Sequence, residues 1–304
     1  MEHKPYLDLN TFLRRRFGCR VQKISLDAGL GCPNRDGSKG WGGCIYCNER
    51  GSGTGNAATQ SLTEQLGSAK SFLARRYKAR KFLGYFQSFS NTYAPLPVLK
   101  RLYGEVLSDP DVVGLCIGTR PDCVDEATLD YLAELARENL IWLEYGLQSA
   151  HDATLQAINR GHGVDAFREA VRRTRERGLL TCAHVVLGLP GESRQDMLET
   201  ADFLAEVELD AVKIHGLYVV WGTRLHELYA GGLYRPLRRE EYVPLVGEFI
   251  SRLPEWMVVQ RITGDPHPGE LVAPEWMLDK KRNLEEILRH MRDKGLAQGA
   301  LAER

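Results

Sequence analysis

Residues 21–47 read Val21-Gln-Lys-Ile-Ser-Leu-Asp27-Ala-Gly-Leu-Gly-Cys32-Pro-Asn-Arg-Asp-Gly-Ser-Lys-Gly-Trp-Gly-Gly-Cys44-Ile-Tyr-Cys47. The run Val21–Asp27 is short, apolar and β-branched, which predicts a strand. A glycine-rich loop with three cysteines follows it directly. Five further runs of the same kind occur at Phe82–Gln87, Val112–Gly118, Ile141–Gly146, Leu180–Leu187 and Ala211–Val219. Amphipathic stretches separate them. Leu96–Leu107 follows a proline, Glu126–Glu138 follows the N-cap candidate Asp125, and Val164–Arg177 ends at Gly178. Arg194–Val207 follows Ser193, with Asp196 completing an approximate capping box. Strand–helix–strand repetition implies parallel strands joined by right-handed crossovers. Six such units fit either an open doubly wound sheet or an incomplete (β/α) barrel.

In both architectures ligands sit beyond the C-terminal ends of the strands. The polar and glycine residues cluster there: Gln87-Ser88, Gly118-Thr119-Arg120, Gln148-Ser149, Gly188–Glu192 and His215-Gly216. One shared site explains the clustering. After Val219 the alternation weakens. Thr223–Ala230, Glu240–Arg252 and Lys280–Lys294 read as helices and Trp256–Ile262 as a strand. The chain therefore divides into an N-terminal extension (1–19), the repeat region (20–219) and a C-terminal α/β extension packed on it (220–304).

The 304 residues are 43% hydrophobic and 26% charged, ordinary for a chain that buries a sizeable core. Forty basic residues balance forty acidic ones, which argues against nucleic-acid binding by bulk charge alone. No apolar run approaches the ~18 residues of a membrane span, and Met1–Gly18 has no hydrophobic stretch. The expected location is cytoplasmic, with no membrane partner. Seven cysteines, an odd number without a secretory signal, make a poor disulfide framework.

Thiolates bind zinc or iron–sulfur clusters. The pair Cys44-x-x-Cys47 can reach one centre, and Cys32 joins it across eleven residues rich in glycine. Structural zinc takes four ligands. Cys19 would be the fourth, but it precedes the first strand and so belongs to the opposite end. A [4Fe–4S] cluster on three thiolates leaves one iron open to an outside ligand.

The long-spaced cysteine set, with Tyr46 before the last cysteine, resembles the cluster loop of radical S-adenosylmethionine (SAM) enzymes. Cys32–Gly37, Tyr85-Phe86-Gln87, Gly118–Cys123, Gly146–Asp152, Asn159–His162 and Gly188–Glu192 together resemble YhcC-type proteins of that superfamily. Thr119–Asp122, Gln148-Ser149, Asn159–His162 and Lys213-Ile214-His215 are also similar to the radical SAM core of the Elongator catalytic subunit. The resemblance implies a partial (β/α)6 TIM-like barrel of parallel strands, with a [4Fe–4S] cluster on Cys32, Cys44 and Cys47. It implies that Tyr46 touches the adenine of SAM, that Gln87 and Ser88 replace the usual glycine-rich motif for the methionine amino group, and that Gln148 and Arg160 hold ribose and carboxylate. His184 stands where related enzymes carry a ribose-binding acid, and the turn from Gly188 to Glu192 flanks the adenine. The implied chemistry is reductive cleavage of SAM to a 5′-deoxyadenosyl radical, fed by a reductant such as flavodoxin or ferredoxin, with the C-terminal extension as a lid.

Other residues are read from their places. Glu144 lies inside a strand, where a buried charge needs a partner; a SAM or substrate contact is preferred to a structural ion pair. Lys213 and His215 share one face of the sixth strand, fitting either a cofactor contact or a satisfied core pair. Cys123 follows a strand, either facing the cavity as a hydrogen donor or buried as a spectator, while Cys116 and Cys182 read as core. His162 is read as a cofactor ligand or a helix cap. The basic runs Arg14–Arg16, Arg75–Lys81 and Arg172–Arg177 permit an RNA substrate, tRNA included. The resulting expectation is a radical SAM enzyme of unidentified substrate. The rival readings are a non-catalytic zinc or iron–sulfur protein that binds nucleic acid or carries electrons.

Overall fold

The computed structural model describes residues 4–49, 51, 59–267 and 269–302. Along the chain run α1 (Leu9–Phe17), β1 (Val21–Leu26), α2 (Leu62–Tyr77), β2 (Lys81–Phe86), α3 (Leu96–Leu107), β3 (Val112–Thr119), α4 (Glu126–Leu135) and β4 (Leu140–Gln148). There follow α5 (Asp152–Ala157), α6 (Val164–Arg175), β5 (Leu180–Leu187), α7 (Arg194–Glu206), β6 (Ala211–Gly216) and β7 (Val219–Val220). The chain closes with α8 (Arg224–Ala230), α9 (Arg239–Arg252), β8 (Val258–Arg261), β9 (Leu271–Ala273) and α10 (Lys280–Asp293).

Seven strands form one sheet in the order β1-β2-β3-β4-β5-β6-β8, every neighbouring pair parallel. Strand order follows chain order without the reversal that defines a doubly wound sheet. The sheet therefore curls in one sense, as a TIM-like partial barrel with helices outside. The expected sixth strand stops at Gly216, and Val219–Val220 leaves it to pair antiparallel with β9. The strand expected over Trp256–Ile262 is present as β8, and it joins the sheet as its seventh strand, beside β6. Three helices were not expected: α1, α2 and the short α5. Cap signals are borne out at Asp125, whose side chain accepts from Thr128 N, and in the Ser193/Asp196 capping box.

Period-two alternation sorts the strand residues into two faces. One face packs under the outer helices: Ile24 and Leu26 of β1, Phe82 and Phe86 of β2, Leu115 and Ile117 of β3, Leu143 and Tyr145 of β4. The other face fills the barrel in layers. The lowest is apolar, with Val21, Leu83, Leu140, Trp142, Ala211 and Val258, and α1 lies across it with Leu13 buried and Phe12 edge-on to Trp142 at 5.6 Å. The next holds Lys23, Tyr85, Glu144 and Lys213. The top layer brings Gln87, Gly118, Gly146, His184 and His215 to the C-terminal strand ends.

Candidate active site

The cysteine loop folds on its own backbone. Asn34 O accepts from Gly43 N at 2.8 Å, and Pro33 O accepts from Lys39 N and Gly40 N. Gly42 and Gly43 take φ of 77° and 74°, a left-handed pair that turns the chain back toward Cys44. The loop is also tied to the rest of the barrel. Asn34 Nδ2 donates to Asn159 O at 2.6 Å, and Asn159 Nδ2 donates to Gly43 O at 2.8 Å and Trp41 O at 3.1 Å. Arg120, 2% exposed, donates to Arg160 O at 2.7 Å and Gly161 O at 3.2 Å while it forks onto Asp122 at 2.9 and 3.0 Å. Asp122 is paired in turn with Lys39 of the loop at 3.0 Å. Such a bidentate guanidinium–carboxylate pair has little freedom, so the loop and the 159–161 turn keep a fixed register.

Cys32, Cys44 and Cys47 open onto one cavity of about 240 Å³. A guanidinium stands beside each member of the close pair: Arg160 Nη1 is 3.8 Å from Cys44 Sγ, and Arg35 Nη1 is 3.8 Å from Cys47 Sγ. Arg35 favours thiolate at Cys47. Burial and the neighbouring Cys44 push the Cys47 thiol up to about 11, with Arg35 opposing. Thiolates ~2.3 Å from one tetrahedral zinc stand roughly 3.8 Å apart. Among the described residues the three sulfurs are not gathered within 4.8 Å of one another. The three sulfurs are thus not drawn together as a single tetrahedral ion would hold them, and among the described residues no fourth thiol lines the cavity.

A model of the radical SAM superfamily matches residues 29–204, and a model of the radical SAM C-terminal domain matches residues 209–293. The chain belongs to the radical SAM superfamily. It is 37% identical over 290 residues to protein YhcC of Escherichia coli, covering 95% of this chain and 93% of that one. It is 31% identical over 192 residues to the tRNA uridine(34) acetyltransferase of Methanocaldococcus infernus, covering 60% of this chain and 34% of that protein. The radical SAM fold is shared with the structure of M. infernus Elp3, at TM-score 0.67 and 20% identity over 91% of this chain and 64% of that one.

Around the three thiols, the cavity gathers most residues singled out in the sequence: Tyr46, Gln87, Glu144, Gln148, Arg160, His184 and His215 line it. Gly146 lets Arg160 in, because a Cβ there would stand 2.5 Å from Arg160 Nη2 and 2.6 Å from Gln148 Nε2. Three non-glycine residues at this end, Phe89, Gln148 and Asn159, adopt φ of 60°, 79° and 54°. Such strain persists only where surrounding contacts impose it, and it concentrates at functional sites. Its effect at Phe89 is visible: the chain turns so that Ser90 lines the cavity, whereas Ser88 is buried off the wall with an unpartnered hydroxyl.

Gly188, Lys213 and Cys123 are also off the wall. Gly188 takes φ 92° and accepts from Tyr234 OH at 2.9 Å. Cys123 lies 3.7 Å from Asp122 Oδ1, and burial together with that carboxylate pushes its thiol up to about 12. His162 caps no helix. Its two nitrogens lie 3.2 Å from the carbonyls of Gly163 and Gly146, and Asp152 Oδ1 accepts from Val164 N at the start of α6 instead.

Below the cavity, Glu144 is 1% exposed and meets three partners. Lys213 Nζ is 3.0 Å away and His184 Nε2 2.8 Å away, and Lys23 pairs with the other oxygen. Lys213 also donates to Tyr85 OH at 2.7 Å. Burial alone would raise the Glu144 carboxyl, but Lys213, Lys23 and His184 hold it well below the usual range. Burial and Lys213 push His184 down to about 4, and burial pushes Lys213 down to about 8 against the pull of Glu144. Neutral His184 donates from Nε2 to the carboxylate, which leaves Nδ1 as an acceptor. The structural ion pair, the alternative to a SAM or substrate contact for Glu144, is thus present, with both carboxylate oxygens partnered by this chain.

Sequence reading gave no role to Arg35, Arg120, Asn34, Asn159, Lys23 or Tyr85. Lys23 and Tyr85 carried a usable signal, since they share strand parity with Ser25 and Gln87. Glu270, which accepts from Asn48 Nδ2 at 3.0 Å and joins the cavity wall, lies too far along the chain for any local pattern to reveal.

Proposed function

We propose that the protein is a radical SAM enzyme whose [4Fe–4S] cluster is held by Cys32, Cys44 and Cys47. The observation that carries this reading is the convergence of three thiols, and among the described residues no fourth, on one cavity in a chain of this superfamily. When bound, the reduced cluster supplies the electron that cleaves SAM to methionine and a 5′-deoxyadenosyl radical, which takes hydrogen from the substrate. The chain's residues bind, orient and shield. Arg35 and Arg160 offset thiolate charge. Tyr46 packs on the adenine, Gln87 with Ser90 meets the methionine end, and Gln148 and Arg160 meet ribose and carboxylate. His184 offers Nδ1 to a ribose hydroxyl and is held there by Glu144. Leu217, Tyr218, Val220 and Glu270 cover the mouth and keep water out.

The electron donor is a small redox protein such as flavodoxin or ferredoxin. An RNA substrate is favoured by the tRNA uridine(34) acetyltransferase that shares this core. Anaerobic purification tests the cluster: about four irons per chain and no zinc are expected, with 5′-deoxyadenosine formed after reduction. Stoichiometric zinc, or a reduced cluster that leaves SAM intact, overturns the reading.

A further inference from the structure

The basic runs of the sequence end in two electrostatic environments. On α6 and the turn after it, every arginine is neutralised. Arg168 pairs with Glu206, Arg172 with Glu169 and Glu176, Arg175 with Glu208, and Arg173 and Arg177 with Glu126. At the end of the sheet away from the cavity, the last turns of α1 and α2 meet the first residues of β1 and β2. There Arg80 N donates to Arg20 O at 3.1 Å, and the Arg20 and Arg76 guanidinium groups lie 5.3 and 5.4 Å from the centre of the Tyr77 ring. Arg15, Arg16, Arg75, Arg76, Lys78 and Arg80 are all exposed. Among the described residues none of the six forms an ion pair. Beside them Phe72 is 53% exposed, with Arg76 stacked 6.0 Å from its ring centre.

Cations in the last turn of a helix gain ~0.3–1 kcal/mol each from the helix dipole. That accounts for Arg15, Arg16, Arg75 and Arg76 one by one. It does not account for Lys78 and Arg80, which lie beyond α2, nor for the ends of two helices delivering unneutralised charge to one place. Zero net charge over the whole chain means that this field is local rather than a bulk property. An exposed Phe72 and a half-buried Tyr77 between guanidinium groups suit a partner with both phosphates and base faces better than an acidic protein surface.

We propose that this end of the barrel is a docking surface for the sugar–phosphate backbone of a structured RNA. The inference rests on the RNA reading above and deepens it. The strands here are six to nine residues long, which at ~3.3 Å per residue puts the surface roughly 20–30 Å from the cavity. It grips RNA remote from the nucleotide presented to the thiols, so it contributes affinity without sequence preference.

The test is equilibrium binding of an unmodified tRNA transcript to the full chain, by fluorescence anisotropy, between about 50 and 200 mM salt. The variant Arg15→Ala/Arg75→Ala/Arg76→Ala/Arg80→Ala is expected to weaken binding at least about tenfold. It should also lower the slope of log K against log salt by up to about 3.6, near 0.9 for each of four lost phosphate contacts. Replacing the same four residues by Lys keeps the charge and should keep the slope, which guards against a folding artefact. Arg168→Ala/Arg172→Ala/Arg175→Ala, already neutralised, should change affinity less than about twofold. Wild-type affinity in the first variant, equal loss in the α6 variant, or capture of an acidic flavodoxin in place of tRNA overturns the proposal. Formation of 5′-deoxyadenosine without RNA is measured in parallel. Its absence from the wild type would count against the enzyme reading, whatever the binding result.

Discussion

The two ends of the sheet are built from the same strands and have opposite physics. The lower end is closed by α1 and packed with Leu13, Leu83, Trp142 and Val258. The upper end is open, lined by thiols, amides and imidazoles, and carries the non-glycine residues Phe89, Gln148 and Asn159 in left-handed backbone. Between them sits a layer of buried charge centred on Glu144. On one strand this transition takes seven residues, from Trp142 through Glu144 and Gly146 to Gln148. Apolar packing gives stability and tolerates no chemistry, whereas a site needs groups that a core excludes. Placing them at opposite ends of the barrel axis lets each be made without weakening the other.

The contrast can be broken experimentally. The largest effect is expected from Cys44→Ala, which should abolish iron retention and lower 5′-deoxyadenosine formation by more than about a hundredfold. Its urea midpoint without iron should match that of the wild type. A large midpoint shift would mean that the upper end carries stability after all. Trp142→Ala should lose about 3–5 kcal/mol in the same urea titration, with SAM affinity of the surviving folded fraction unchanged. Glu144→Ala leaves Lys23 and Lys213 buried without their counter-charge. A loss of about 3–5 kcal/mol is expected, and unlike Trp142→Ala it should also weaken SAM binding through His184. Equal SAM affinity in the two variants would erase the distinction between the layers.

The pH dependence sharpens the middle layer. His184 titrates at about 4 in the fold and near its ordinary 6.5 when unfolded. Between those values the unfolded chain binds a proton that the folded chain refuses, so stability rises with pH across this window. His184→Gln should flatten that rise by about 2–3 kcal/mol, read from urea midpoints at pH 4.5 and 6.5. The smallest effect is expected at Arg172→Ala, on the exposed face of α6, at ~0.5 kcal/mol or less.

The strands were legible because each is a short apolar run, and parity within a run assigned inside from outside. Glu144, Lys213 and His215 were found that way. The two long unexpected helices escaped for a physical reason. In α1 the pattern ends in Arg14-Arg15-Arg16, which reads as a solvated run although Leu13 plugs the barrel. In α2 only Leu62, Gln65 and Leu66 are buried, so the sequence has a weak stripe. At the site, the three cysteines declared themselves by spacing. The clamp that positions them did not. Asn34, Asn159 and Arg120 act through backbone carbonyls, and no residue pattern encodes which carbonyl a side chain will find. Ser88 was misplaced for a similar reason, since the left-handed turn at Phe89 is not written in any glycine.

The helix that stoppers the lower end has a further consequence. Leu13 blocks the barrel axis from below, so the wall that carries Val220 and Glu270 is reached only from the opposite end of that axis.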